Sequence, residues 1–156
     1  MKYLVAYYTR DGHTKAVAAE IAQALGADLE EIVDAKSRKG IIGWILAGRD
    51  ATQKRSAEIG TLKHDPSQYD LVAIGTPIWA WTMVPAIRTY LTQQQGKIKQ
   101  AAFFCTEGSS GGAKAFGFME ELLGKKPLAT LELNSKELAD GSYKSKLLQF
   151  AEALKK

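Results

Sequence analysis

The stretch 5-VAYYTRDGHTKAVAAEIA-22 decides the fold that the sequence predicts. It begins as an apolar run of strand length and ends with apolar side chains at helical spacing. Between the two, Thr9–Thr14 supply threonine hydroxyls and a glycine where a strand passes into a helix. The first amides of a helix lack partners within it, and the helix dipole favours anions there. The turn is therefore either a nest for a phosphate or an ordinary turn capped by Thr9 or Asp11.

Length and composition predict a single domain over residues 1–156. The chain is 46% hydrophobic, which is enough for one compact core, and no linker-like segment divides it. Its apolar runs are strand-sized, so no membrane span is expected, and the N-terminus lacks the pattern of a signal peptide. Cys105 is the only cysteine, and no Cys/His spacing suggests a metal site. A reducing cytoplasmic location fits these features.

The net charge of +4 raises the question of a nucleic-acid partner. The basic residues are scattered along the chain, however, and no stripe of basic and aromatic residues is present. None of the short nucleic-acid-binding motifs occurs either. We expect no nucleic-acid partner.

Apolar runs alternate with helical patterns along the chain. The sequence predicts strands over residues 2–8, 29–33, 71–75, 101–105 and 128–133, and helices over residues 14–25, 84–91, 113–123 and 142–154. Such alternation is typical of an α/β fold with a parallel sheet between two helical layers. The second and fifth strands carry charge and suit the sheet edges, which gives a five-stranded parallel sheet of order 2-1-3-4-5. Residues 36–59 are interpreted as a crossover helix, with a partner-binding surface as the alternative.

In a sheet of this order, ligands bind beyond the carboxyl ends of the strands, near the point where the order reverses. The loops after the first, third and fourth strands should therefore form one site. The second loop, 75-GTPIWAWTMVP-85, carries two tryptophans that either seal the core or stack on a flat ligand. The third, 105-CTEGSSGG-112, offers small residues and backbone polar groups and is a weak signal alone. Together, a phosphate nest, an aromatic platform and a glycine-rich loop suit FMN.

At these residues the chain resembles the flavodoxin family. The phosphate-loop pattern is matched at Tyr7, Thr9, Gly12, Thr14, Ala18 and Ile21, whereas Ala6 stands where a larger apolar residue is usual. The segment Gly75–Trp79 resembles the family's Gly-x-Pro-x-Trp, and Cys105–Gly112 resembles its second flavin loop. The resemblance covers nearly the whole chain, with the motifs in the family's order. It implies a short-chain, flavodoxin-like three-layer sandwich with FMN as cofactor.

By resemblance, three loops hold the FMN. The phosphate is bound by Thr9, Arg10, Asp11, Gly12, His13 and Thr14. The ring is covered by Thr76, Pro77, Ile78, Trp79, Ala80 and Trp81, and its pyrimidine edge meets Cys105, Thr106, Glu107, Gly108, Ser109 and Gly111. Glu107 is expected either to touch the ring edge or to face solvent, the latter being favoured. No metal is expected, and no side chain is assigned as catalytic because the flavin carries the chemistry.

The resemblance leaves the function open between an enzyme and a carrier. Flavodoxins proper are electron carriers, usually acidic, and often flip a glycine peptide near the flavin to stabilise its one-electron state. This chain is basic and has Ala80 between two tryptophans, where a flip would be harder. Both features favour an FMN-dependent oxidoreductase that takes hydride from NAD(P)H and reduces a quinone or similar small acceptor. The alternative is a non-catalytic electron carrier with a protein redox partner.

Two further alternatives rest on single features. The loop Thr-Arg-Asp-Gly-x-Thr is similar to that of the menaquinone-dependent protoporphyrinogen oxidase group, although the chain lacks that group's extra segment before the last helix. A flavin-free interaction module would use Trp44 or Trp81 to bind a partner. Because reductases of this kind are commonly dimers, a homodimer is also an expectation of the resemblance.

Overall fold

The computed structural model describes residues 1–34, 58–108 and 111–155. The strands are β1 (Tyr3–Tyr7), β2 (Asp28–Glu31), β3 (Leu71–Trp79), β4 (Thr82–Met83), β5 (Ala101–Glu107) and β6 (Thr130–Asn134). The helices are α1 (His13–Leu25), α2 (Pro85–Gln94), α3 (Gly112–Leu123), α4 (Ser135–Asp140) and α5 (Tyr143–Lys155), with a 3-10 turn at Pro66–Gln68.

The sheet confirms the predicted strand order. Its parallel strands lie in the order β2-β1-β3-β5-β6, and β4 pairs only with β3. The five parallel strands are therefore those of the predicted order 2-1-3-4-5. The structure adds one strand to these five, the short β4, which pairs antiparallel with the end of β3.

Helices cover both faces of the sheet and give two separate cores. On one face, α1 and α5 pack on the sheet with Val17, Ile21, Phe104 and Phe150 buried. The other core lies under α2 and α3, where Ile87, Leu91, Phe103 and Met119 are buried. The three central strands are buried on both sides, which is why they read as apolar runs in the sequence.

The third strand continues beyond the predicted boundary. Residues 75–79 were expected in a loop, but β3 runs on to Trp79 because it pairs with β4, Ile78 opposite Met83 and Trp79 opposite Thr82. Inter-strand hydrogen bonds replace those that a loop would have made to water. β5 likewise extends to Glu107, two residues past its predicted end at Cys105. The predicted ring-covering segment is therefore the end of a hairpin instead of a free loop.

A short helix, α4, follows β6 directly and was not predicted. Asn134 accepts a hydrogen bond from the Glu137 N–H at 2.9 Å, and Glu137 Oε1 accepts one from the Asn134 N–H at 3.1 Å. This reciprocal pair is a capping box, which fixes the helix start against the sheet edge. The sequence signal for this helix was the Asn-x-x-Glu spacing, which is weak evidence when no periodic apolar pattern follows it.

The interpretation of residues 36–59 as a crossover helix or a partner surface falls almost entirely outside the described residues. At the edges of that segment, Asp34 pairs with Ile59, and the Gly60 N–H donates to the Val33 carbonyl at 2.8 Å. None of the helices in residues 1–34, 58–108 and 111–155 combines the length and the apolar character needed to cross a membrane.

Gly75 gives a direct test of the packing at the sheet centre. A Cβ at this position would overlap ring carbons of Phe104, the residue opposite it in register. We expect Gly75→Ala to lower the free energy of unfolding by about 1–3 kcal/mol or more, because overpacking forces the ring or the backbone to move. Denaturant titration checks this.

The matched control is Gly117→Ala, where a Cβ would meet no atom within 4 Å. Gly117 lies inside α3, so alanine should stabilise the protein by about 0.5–1 kcal/mol through helix propensity. Equal effects of the two substitutions would contradict this account of the sheet centre.

Candidate functional site

The turn between β1 and α1 is held by its own side chains. The Gly12 N–H donates to Thr9 Oγ1 at 3.0 Å, and the His13 N–H donates to Asp11 Oδ1 at 3.2 Å. Gly12 has a φ of 98°, which a residue with a Cβ adopts only under strain. These two hydrogen bonds are those expected of an ordinary turn capped by Thr9 or Asp11.

The N-terminus of α1 nevertheless keeps its capacity for an anion. The N-cap residue Gly12 gives no side-chain cap, so the first-turn amides of α1 other than the His13 N–H point beyond the helix. The Thr9 hydroxyl accepts the Gly12 bond and so keeps its own hydrogen available to donate. Amides, dipole and hydroxyl make this turn suitable for a phosphate.

A buried hydroxyl pair joins this turn to the neighbouring sheet. Thr14 Oγ1 and Thr106 Oγ1 lie 2.8 Å apart, and both side chains are buried. The pair connects the first helix to β5 across 92 positions of sequence. That Thr14 binds phosphate through its hydroxyl stays a prediction, because either hydroxyl of the pair can be the donor. In the structure the pair fixes the turn over the end of β5.

A cavity of about 240 Å³ opens where the three predicted loops meet. Nine of its lining residues were predicted as site residues, and they come from all three loops: Arg10, Asp11, His13, Pro77, Ile78, Trp79, Thr106, Glu107 and Gly108. Ser135 and Leu138 of α4 complete the wall and were not predicted. The capping box that begins α4 is what brings these two side chains to the cavity.

The other predicted site residues do not line this cavity. Thr9, Gly12 and Thr14 shape the turn beside it, whereas Thr76, Ala80, Trp81, Cys105 and Gly111 lie behind it or at its rim. Ser109 falls outside the described residues. Thr76 is buried, donates to the Pro77 carbonyl at 2.7 Å and accepts from the Val84 N–H at 3.2 Å. Its hydroxyl therefore stabilises the hairpin.

Trp79 forms an aromatic wall of the cavity. Its ring makes an edge-to-face contact with Tyr8, with centroids 5.8 Å apart and planes at 88°. The Arg10 guanidinium lies over the Trp79 ring, 5.7 Å from the centroid. These contacts orient the indole and link the phosphate turn to the β3 end. A flat ligand in the cavity would meet a fixed aromatic surface there.

Trp81 occupies a strained position at the rim. Ala80 and Trp81 form the two-residue turn between β3 and β4, with φ values of 51° and 61°. Positive φ at both positions defines a type I′ turn, which normally carries Asn or Gly. The Trp81 side chain is 61% exposed, and Gly111 lies so close that a Cβ there would be 2.8 Å from Trp81 Cδ1.

Cys105 lies in the core beneath the cavity. It is fully buried, and burial, followed by Glu107 and Glu132, raises the pKa of its thiol well above the usual range. A thiol that stays protonated is a poor nucleophile and a poor metal ligand. The structure therefore supports a packing role for Cys105.

Glu107 lies in the cavity wall and is only 7% exposed. The favoured expectation that it faces solvent is wrong, because β5 extends to this residue and α3 begins above it. Glu107 Oε2 accepts a hydrogen bond from the Gly112 N–H at 2.9 Å. Burial raises the pKa of the Glu107 carboxyl, Glu132 raises it further, and the Gly112 hydrogen bond opposes both.

The residues present fit a phosphorylated, flat cofactor. The α1 amides and the Thr9 hydroxyl suit the phosphate, and the Pro77–Trp79 segment offers an apolar and aromatic face. At Gly108 a Cβ would meet no protein atom within 4 Å, so this wall leaves open space for a ring edge. The cavity is smaller than the roughly 300–1,000 Å³ that encloses a typical small-molecule ligand. A ligand the size of FMN would therefore extend from the cavity over its rim.

Comparisons with known proteins agree with this geometry. A flavoprotein from Lactobacillus acidophilus, crystallised in complex with FMN, has a TM-score of 0.73 at 23% identity, over 90% of this chain and 98% of that one. A protein from Bacteroides eggerthii that is assigned as a flavoprotein has a TM-score of 0.78 at 23% identity, over 96% and 98% of the two chains. A WrbA-like flavodoxin from Agrobacterium tumefaciens reaches 0.60 at 16% identity, over 97% and 94%.

These similarities establish the fold, and the sequence itself establishes the family. A search of curated proteins found no match to the chain. The sequence model of the family described as Flavodoxin, however, matches residues 2–153, which is nearly the whole chain. The resemblance carried by the Thr9–Thr14 turn and the Gly75–Trp79 segment is thereby confirmed. The chain belongs to the flavodoxin family, whose members bind FMN.

Proposed function

We propose that the chain binds FMN at this cavity and acts as an NAD(P)H-dependent oxidoreductase that passes electrons to a quinone or similar small acceptor. When bound, FMN supplies hydride and single-electron transfer at its ring. The similar Lactobacillus acidophilus flavoprotein holds FMN on the same fold. Here the α1 N-terminus binds the phosphate, Trp79 and Pro77 cover one side of the ring, and the Thr106–Gly108 backbone meets its edge.

The β3–β4 turn is the observation that favours an oxidoreductase over a carrier. Flipping the Ala80–Trp81 peptide would convert the type I′ turn into type II′, in which the first central residue has φ near +60° and ψ near −120°. Glycine enters that region readily, but the Cβ of Ala80 would clash with the backbone. In flavodoxins the flip stabilises the one-electron state of the flavin, so a turn that resists it does not provide this stabilisation. It suits a protein that transfers electrons in pairs.

The exposed Trp81 favours the second candidate, a carrier that docks on a protein partner. Trp81 is 61% exposed in the strained β3–β4 turn, with part of its indole next to Gly111. Exposed tryptophans are enriched at protein interfaces, where one ring buries much apolar area. A small electron acceptor would not require this side chain, whereas a protein partner could cover it.

Gly108→Val tests the cofactor site. A Cβ at this position would meet no protein atom within 4 Å, so the valine side chain should project into the open part of the cavity and raise the FMN dissociation constant about tenfold or more. Flavin fluorescence titration measures this change. Gly96→Val is the control, since a Cβ at Gly96 also meets nothing within 4 Å and the residue lies away from the cavity. Unchanged affinity in Gly108→Val would place FMN elsewhere.

Anaerobic mixing tests the proposed activity. NADH or NADPH should bleach the visible absorbance of the FMN-loaded protein within a catalytic timescale, and a soluble quinone should then restore it. During stepwise reduction the spectrum should pass directly from the oxidised to the fully reduced form. Bleaching by dithionite but by neither nicotinamide would exclude the proposed donor and favour the carrier.

Ala80→Gly tests the argument from the turn. Removing the Cβ should permit the peptide flip, so a third spectrum, distinct from the oxidised and reduced forms, should accumulate during stepwise reduction. The matched control is Ala19→Gly, an exposed position inside α1. If the Ala80→Gly protein shows the same series of spectra as the wild type during reduction, the turn does not determine whether the flavin transfers electrons singly or in pairs.

The same pair of variants tests backbone strain. An L-residue in the left-handed region destabilises the folded state by about 1–2 kcal/mol, which glycine would relieve. Glycine also makes the unfolded chain more flexible, which lowers the free energy of unfolding by about 0.4–1 kcal/mol. Ala80→Gly should therefore leave the free energy of unfolding unchanged or raise it. Ala19→Gly should lower it by about 0.5–1 kcal/mol. Equal losses in denaturant titrations would contradict the strain at Ala80.

A further inference from the structure

Two carboxyl groups lie side by side, one of them in the wall of the cavity. Glu107 ends β5 and Glu132 lies in the middle of β6, where it is opposite Cys105 in the parallel register. Residues 105 and 107 point to one face of the sheet, and their register partner Glu132 shares that face. Carboxylate oxygens of both glutamates and the Cys105 sulfur all lie within 4.8 Å of one another. Of the two carboxyls, Glu107 lines the cavity.

Gly112 shapes the space for this pair. Its N–H donates to Glu107 Oε2 at 2.9 Å and so holds that carboxyl against the start of α3. A Cβ at Gly112 would overlap Glu132 Oε2 and approach Cys105 Sγ to 2.8 Å. The backbone φ here is not in the left-handed region, so conformation does not require glycine. Glycine is required here because a side chain would occupy the space of the Glu132 carboxyl.

The charges around the pair do not neutralise two carboxylates. In the part of the chain that the structure describes, neither Glu107 nor Glu132 forms an ion pair. Lys146 of α5 comes nearest, but its Nζ is bonded to Glu137 Oε2 at 2.8 Å and to the Glu132 carbonyl at 2.9 Å. The titratable and charged groups that face Glu107 from the surrounding elements are Cys105, Glu132, Glu137, Lys146 and, across the cavity, Arg10, Asp11 and His13.

We propose that Glu107 and Glu132 share one proton above the pH at which an ordinary glutamate loses it, and that Glu107 presents this proton to the bound flavin. Glu107 is buried and Glu132 is half-buried beside it, so ionising both carboxyls costs free energy and one proton is held to a raised pH. The raised pKa of Glu107, caused by burial and then by Glu132, agrees with this geometry. Cys105 stays a neutral thiol, which favours a proton over a metal ion in this cluster.

The proposal rests on FMN as the occupant and adds a coupling to it. FMN brings negative phosphate charge and removes water from Glu107, and both effects strengthen proton binding by the pair. Binding should therefore take up a proton at a pH where the pair has begun to lose it. FMN affinity should fall as the pH rises through that range. The pair acts on the flavin by charge and hydrogen bonding, as a positioning element.

The pair can be tested in the protein without flavin. Infrared pH titration should show a protonated carboxyl that persists at least about one pH unit above the ordinary glutamate value of about 4.3. Glu132→Gln should move the Glu107 carboxyl down towards that value, and Glu107→Gln should remove the late-titrating band. Glu121→Gln, an exposed glutamate on α3, should leave the band unchanged. A wild-type protein without a late-titrating carboxyl would overturn the proposal.

Stability against pH gives a second readout of the same pair. An acid with a raised pKa binds its proton more tightly in the folded state than in the unfolded one. The free energy of unfolding therefore falls as the pH rises from the unfolded pKa to the folded one. Denaturant midpoints of the wild type should decline over that window, and those of Glu132→Gln should decline less. Circular dichroism confirms that each variant is folded, and parallel pH profiles would contradict the shared proton.

Calorimetry of FMN binding tests the coupling. In buffers of different ionisation enthalpy, the wild type should show net proton uptake at a pH inside the window found by infrared titration, and Glu132→Gln should show none. Equal uptake in both proteins would overturn the coupling. If FMN does not bind at all, the proposed function and the coupling both fail. The flavin-free infrared titration then decides separately whether the pair shares a proton.

Discussion

The register of the three central strands is the constraint on which the rest of the structure depends. Tyr7 of β1 lies opposite Gly75 of β3, and Gly75 lies opposite Phe104 of β5. This alignment is stable because Gly75 has no side chain and the Phe104 ring fills its place. The strands therefore end at one edge of the sheet, and their loops meet there. The Thr14–Thr106 hydroxyl pair then fixes the first turn over the end of β5.

The sequence predicts the parts of this arrangement that depend on local pattern. The apolar run into Thr9–Thr14 and the charged second and fifth strands lead to the observed strand order, because burial and charge determine which strands are central. The convergence of the three loops follows from that order. Nine of the predicted site residues line the cavity for this reason.

The features that were missed depend on contacts between distant residues or on short elements. The β3–β4 hairpin has Ala80 and Trp81 in its turn, so the usual Asn-Gly signal is absent. The helix α4 has only 6 residues, too few for a periodic pattern. A glutamate at the end of a strand is expected to be exposed to solvent. The burial of Glu107 is explained by its contacts with Gly112 and Glu132. In each case a tertiary contact determines the local structure.

Two costly features lie around the same cavity. The β3–β4 turn places non-glycine residues at positive φ, and the half-buried Glu132 carboxyl lies against the buried carboxyl of Glu107. Strained backbone and perturbed carboxyls concentrate at functional sites, where the surrounding structure maintains them. The central strands β1, β3 and β5 are otherwise regular and largely apolar. The location of both features agrees with a flavin site at this edge.

Equilibrium dialysis of the protein against FMN and, separately, riboflavin tests the central claim most directly. The two ligands share the ring and differ by the phosphate, which the α1 N-terminus and Thr9 are positioned to bind. The account predicts one FMN per chain and riboflavin bound at least about tenfold more weakly, as the loss of one hydrogen bond to a charged group implies. No retained FMN, or equal affinity for both, would contradict the account.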